Sequence, residues 1–116
     1  MTGLTWEWRY FGTREVRLAR GWADRGGIAV HENLFRLRGH RCAHLLAPEE
    51  EILVRAAGLL GCRPHWIQRT RTVHFDLAGE FLGRALRHCG VDPALPPARV
   101  YWQELGRCLE EPDLVD

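Results

Sequence analysis

Two residues in the second half of the chain, His74 and Asp76, have the types and the spacing that acid–base or metal chemistry needs. They are separated by Phe75 alone. In an extended segment, side chains two residues apart point to the same side, so His74 and Asp76 would face one cavity while Phe75 enters the core. A carboxylate beside an imidazole fixes its tautomer and raises its basicity. Asp76 also directly precedes a predicted helix, so its alternative role is that of the helix N-cap.

A second short segment contains further residues that can ligate a metal. In an extended conformation His40, Cys42 and His44 project to one side and offer three soft-metal ligands, whereas an irregular or helical segment loses this arrangement. The paired, closely spaced ligands of structural zinc sites are absent, so Cys42 is alternatively a small buried apolar residue and His40 an exposed one. With His74 and Asp76, His44 also matches the two-histidine, one-carboxylate set that leaves open positions on a metal.

A third group of residues is suited to binding rather than to chemistry. In a strand, Trp66 and Gln68 point together and can stack on a planar ligand and hydrogen-bond its edge. Their alternative roles are core packing for Trp66 and satisfaction of backbone groups for Gln68. Arg69 and Arg71 follow in a basic loop and, with the arginines of residues 31–43, can hold an anion such as a phosphate, unless they are simply solvated.

Strand and helix patterns alternate along the chain and predict the elements that position these residues. We predict strands at 4–11, 28–30, 63–68 and 73–76, helices at 13–25, 48–60, 77–89 and 98–110, and loops over 31–43 and 69–72. This order favours an α/β fold, in which a small, mostly parallel sheet carries packed helices in a single domain. Ligands of such sheets bind beyond the carboxyl ends of the strands, which directs attention to the loops after Val30 and Gln68.

The composition excludes several classes of chemistry. The 116 residues include no serine and no lysine, and all 16 basic residues are arginine. Lysine Schiff bases, phosphate loops with a lysine and serine nucleophiles are therefore excluded. The net charge of +1 does not favour a protein that coats nucleic acid. The four cysteines form no Cys-x-x-Cys pair, and neither a signal-peptide pattern nor a membrane-spanning apolar run is visible, so we expect a cytoplasmic protein.

The motifs together, in their order along the chain, resemble a known family. Cys42-Ala-His44, a helix, Trp66-Ile-Gln68, His74-Phe-Asp76 and a helix that ends at Gly90 are similar to small bacterial and phage proteins catalogued as domain of unknown function four thousand and thirty-one. The resemblance covers about residues 28–91 and implies no reaction and no cofactor. It suggests a recurring polar set, namely His44, Trp66, Gln68, His74 and Asp76. The chain departs from the family by its N-terminal residues 1–27 and by Phe75, where tyrosine is common.

The same residues lead to expectations about domain organisation. We expect an N-terminal extension over residues 1–27, a strand plus a helix, packed on an α/β core domain over 28–110, and a frayed tail over 111–116. The tryptophans of the extension could also contribute to a homodimer interface.

The function we expect first is a small enzyme, a hydrolase or lyase that acts on a phosphate-bearing or nucleotide-like substrate. His44 and His74 would be its acid–base pair, and Asp76 would orient one of them. The substrate would be bound by Trp66, Gln68, Arg69 and Arg71. The alternatives are a non-catalytic binding module for a planar anionic ligand, a divalent metal site of His44, His74 and Asp76, and an interaction protein. No cofactor is predicted, apart from the metal of that alternative.

Overall fold

A computed structural model describes residues 6–97 of the chain and places five strands and three α-helices in them. In chain order these are β1 (Trp8–Phe11), α1 (Val16–Asp24), β2 (Ile28–Glu32), β3 (Cys42–Leu46), α2 (Glu50–Leu59), a 3₁₀ turn (Pro64–Trp66), β4 (Gln68–Thr70), β5 (Thr72–Ala78) and α3 (Gly79–His88). The predicted helix at 98–110 and the predicted tail at 111–116 lie outside the described residues. Within residues 6–97, no helix is both long enough and apolar enough to cross a membrane.

The strands form one sheet in the order β1-β2-β3-β5-β4, and the prediction of a mostly parallel sheet is wrong. Only β1 and β2 pair in parallel among the described strands, while β2–β3, β3–β5 and β4–β5 are antiparallel. Parallel neighbours need a crossover connection, and α1 supplies one between β1 and β2. The later pairs are antiparallel, and a tight turn at Arg71, with a φ of 32°, joins β4 to β5. The α/β class itself is confirmed.

Several predicted element boundaries are also wrong. The predicted loop over 31–43 contains the end of β2 and the start of β3, and the predicted strand over 63–68 begins with the 3₁₀ turn. The predicted basic loop over 69–72 belongs mostly to the β4–β5 hairpin. β5 continues through Leu77, which the helix prediction had included, and Ala78 is the N-cap of α3. Asp76 therefore lies inside a strand, and the N-cap prediction for it is wrong.

The two faces of the sheet are covered differently. We call the face packed against α2 and α3 the closed face; its strand residues include Val30, Leu45, Phe75 and Leu77, all buried in the main core. Leu53, Ala56 and Ala57 of α2 and Leu82, Ala85 and Leu86 of α3 complete that core. Leu59 fits the apolar spacing of this helix, but it is 61% exposed, because its side of the helix faces solvent.

We call the opposite face the open face, because α1 covers only part of it. A small apolar cluster joins α1 to the strands there, formed by Phe11, Ala19, Ala23, Ala29 and Leu46. The segment before residue 28 thus supplies an edge strand of the sheet and a helix that packs on its open face. Beyond this cluster the open face carries polar side chains.

Candidate metal centre

Three neighbouring strands bring histidine and aspartate side chains together on the open face. His44 lies in the middle of β3, opposite Asp76 of β5 on one side and His31 of β2 on the other. Directly opposed residues of an antiparallel pair share a face, and His74 precedes Asp76 by two residues on the same strand. Phe75 lies between them and is buried on the closed face, as the alternation predicts.

The side chains of His44, His74 and Asp76 converge on one point. Nε2 of His74 lies 3.3 Å from Oδ1 of Asp76, and Nε2 of His44 lies 3.4 Å from the same oxygen. One ligand atom from each of the three residues lies within 4.8 Å of the other two. A tetrahedral ion with bonds of about 2.1 Å holds neighbouring ligand atoms roughly 3.4 Å apart. The three residues can therefore hold a metal ion.

The second ring nitrogen of His74 is also engaged. Its Nδ1 lies 2.7 Å from the backbone carbonyl oxygen of Thr72, to which an Nδ1–H can donate. Such a bond directs the lone pair of Nε2 toward Asp76 in the neutral ring, the tautomer that metal-binding histidines use. In the metal-free protein, both nitrogens of His74 have protein partners, so neither is left for a substrate.

The two histidines differ electrostatically. The hydrogen bond that His74 donates to the Asp76 carboxylate raises the pKa of His74 and lowers the pKa of Asp76. Burial lowers the pKa of His44, and the nearby charge of His74 lowers it further. Without a metal, this arrangement favours an imidazolium–carboxylate pair at His74 and Asp76 beside a neutral His44.

The residues predicted to bind a ligand are distributed unevenly around this cluster. Gln68 lies opposite His74 in the β4–β5 pair and is exposed on the same face. Trp66 belongs to the 3₁₀ turn and packs edge-on against Phe81, with ring centroids 5.4 Å apart. Arg69 is exposed and forms an ion pair with Glu50 of α2. The structure thus brings Gln68 beside the cluster but does not bring Trp66 or Arg69 there.

The other predicted metal ligands are not part of the cluster. The thiol of Cys42 is buried and accepts a hydrogen bond from Nδ2 of Asn33 at 3.2 Å. His40 is exposed in the loop between β2 and β3. Among the described residues, the metal-ligating group consists of His44, His74 and Asp76.

A cavity of about 260 Å³ lies on the open face and is lined by His44 and His74 of the cluster. Its polar lining includes Arg20, His31, His44, Arg71, Thr72 and His74. Of the arginines that the sequence suggested, Arg71 reaches this cavity. Sequence reasoning missed His31 and Arg20. Strand alternation continued past Ala29 would have placed His31 on the same face, whereas no sequence signal shows which side of the sheet α1 covers.

Comparisons with family models, with curated proteins and with solved structures find no match for this chain. The resemblance to the family of unknown function therefore stays a prediction, and the geometry of the cluster carries the functional argument.

Proposed function

We propose that this protein is a small hydrolytic enzyme built around a divalent metal ion bound by His44, His74 and Asp76. The observation that carries the proposal is the convergence of both Nε2 atoms on one carboxylate oxygen, while Nδ1 of His74 is tied to the backbone. A metal ion between these atoms would replace the contacts of the two histidines with Asp76 by metal–ligand bonds of the usual length.

Three protein ligands leave at least one coordination position for water or substrate, as catalytic sites require. An ion held by these residues would supply a nucleophile from water near neutral pH. In a hydrolysis, the water oxygen bonds to the electrophilic centre of the substrate, the bond to the leaving group breaks, and the leaving group takes a proton from the water. The adjoining cavity, which His44 and His74 line, provides room for a substrate beside the cluster.

A second candidate is metal-free acid–base catalysis by the same histidines. The pKa of His74 is raised and that of His44 is lowered, which favours this mechanism, because His74 would be the acid and His44 the base. The double engagement of His74 ranks it below the metal centre, since His74 must break a hydrogen bond before it can give a proton to a substrate.

The test begins with elemental analysis of protein purified without an affinity tag, followed by calorimetric titration with Zn²⁺ and Mn²⁺. Hydrolysis of p-nitrophenyl acetate, p-nitrophenyl phosphate and bis(p-nitrophenyl) phosphate is measured with and without a chelator. We expect one ion per chain, and activity that the chelator removes and the ion restores. His44→Ala and His74→Ala should lose the bound ion and the activity, while the exposed His65→Ala should keep them.

The outcomes separate the two candidates. Activity that resists the chelator but disappears in His44→Ala and His74→Ala would establish the acid–base mechanism. Metal affinity that is equal in His74→Ala and in the unaltered protein would contradict the metal centre.

A further inference from the structure

His31 is a buried histidine whose ring is incompletely paired. Its residue is 8% exposed, and Nε2 has no hydrogen-bond partner among the described residues. The ring lines the cavity, with its centroid 6.2 Å from that of His44. Buried polar atoms nearly always have a partner, so an unpaired one on a cavity wall is available to a molecule that binds in the cavity.

Arg20 lies across the same cavity. It projects from α1, and its Nη2 donates a hydrogen bond of 2.7 Å to Oγ1 of Thr72 on β5. Thr72 also provides the carbonyl oxygen that engages His74, so one residue connects the arginine to the metal cluster. Arg20 and His31 line the same cavity, so a single bound group can contact both side chains.

The charge of the cavity wall indicates the sign of that group. Its lining contains Arg20 and Arg71, three histidines and, among the described residues, no carboxylate. Arg71 is held there at the hairpin turn, in the left-handed region that non-glycine residues seldom adopt. A guanidinium fork fits the oxygens of phosphate in two parallel hydrogen bonds. The volume, about 260 Å³, suits one phosphate with a small organic part.

We propose that this cavity is the binding subsite for a phosphate monoester, held by the guanidinium groups of Arg20 and Arg71, with Nε2 of His31 sharing a proton with a phosphate oxygen. The inference rests on the proposed function, for which it supplies the substrate class. Arg20 lies outside residues 28–91, so the segment before residue 28 would contribute to substrate recognition while the later strands hold the metal.

The experiment measures binding by calorimetry to the protein purified without a tag. The probes are inorganic phosphate, a nucleoside monophosphate and glycerol 3-phosphate, with acetate as the carboxylate control. We expect Arg20→Gln and His31→Gln each to weaken phosphate binding by about tenfold or more. Arg17→Gln, an exposed change on the same helix, should bind as the unaltered protein does. Circular dichroism and thermal unfolding verify that each variant folds.

The probes also identify the source of the phosphate. Tighter binding of the nucleotide than of glycerol 3-phosphate supports a nucleotide substrate, and the reverse order supports a small sugar or polyol phosphate. Equal phosphate affinity in Arg20→Gln and Arg17→Gln, or equal binding of acetate and phosphate, overturns the subsite. If a variant unfolds, Arg20→Lys, which keeps the charge and loses the fork, must still bind phosphate more weakly than Arg17→Lys.

Titration of the same variants with Zn²⁺ separates this inference from the proposed function. Arg20→Gln should keep its zinc affinity, because Arg20 contributes no ligand. A protein that binds zinc through His74 but binds no phosphate overturns the subsite alone. A protein whose phosphate binding depends on Arg20 but which binds no zinc overturns the metal centre alone.

Discussion

The two faces of the sheet are built from the same strands but serve different purposes. On β5, Phe75 and Leu77 enter the closed face, where α2 and α3 bury them. The alternate residues of the same strand, His74 and Asp76, lie on the open face. Within residues 6–97, α1 covers part of the open face through an apolar cluster much smaller than the main core. Most of the apolar packing that stabilises the fold is thus on the closed face, and polar side chains can cluster on the open face.

The largest effect should follow from a change on the closed face. Phe75 is 1% exposed within the main core, so Phe75→Ala should lower the free energy of unfolding by about 3–5 kcal/mol. The measurement is urea denaturation followed by circular dichroism. Leu18→Ala, at an exposed position of α1, is the control and should change stability by less than about 0.5 kcal/mol. A loss below about 1 kcal/mol for Phe75→Ala would contradict the division between the faces.

The next effect separates function from stability on the open face. Asp76→Asn removes the carboxylate that both histidines contact, so we expect zinc affinity to fall by about a hundredfold, or roughly 2.7 kcal/mol. Metal-free stability should change by less than about 1 kcal/mol, because this side chain is outside the main core. Thermal unfolding with and without Zn²⁺ measures both quantities. A large loss of metal-free stability with normal zinc affinity would show that Asp76 is structural.

A smaller effect tests how α1 is docked on the open face. The indole Nε1 of Trp22 donates to the carbonyl oxygen of Glu7, and a methyl group at Gly27 would collide with that indole. Gly27→Ala should therefore displace the end of α1 and cost about 1–3 kcal/mol. Gly58→Ala is the control, since its added methyl meets open space within a helix. Equal stability of the two variants would show that the Trp22 contact adjusts without cost.

The sequence predicted the local pattern of the site better than the arrangement of the sheet. The alternation of His74, Phe75 and Asp76 correctly indicates which side chains share a face, because a strand's side-chain period is a local property. A helix was also predicted over 48–60, where the structure has Glu50–Leu59, because apolar spacing and an acidic first turn are local properties too. The prediction of a mostly parallel sheet was wrong. The direction in which β2, β3 and β5 pair depends on contacts between distant segments, which no single segment encodes.

The residues of the cavity show the same limit of prediction from sequence. His44, His74 and Arg71 were singled out from the sequence, but Arg20 was not. A surface arginine on an amphipathic helix looks like a solvated residue until the helix is placed on the sheet. The residues that complete the cavity depend on long-range packing, such as the hydrogen bond between Arg20 and Thr72.

The smallest expected effect is a pH dependence of stability caused by His31. Burial lowers the pKa of this ring in the folded protein, and the nearby His44 lowers it further. Below its unfolded pKa of about 6.5, the unfolded chain binds a proton that the folded protein excludes, so stability falls as the pH falls. His44 acts in the same direction, while His74, whose pKa is raised, opposes both.

His31→Gln should therefore flatten the loss of metal-free stability between pH 7 and pH 5. The change in slope is at most one proton, about 1.4 kcal/mol per pH unit. Urea denaturation at a series of pH values measures it, with the exposed His65→Gln as the control. If both variants lose stability as steeply as the unaltered protein does, the ring of His31 is not held in its neutral form by the open face.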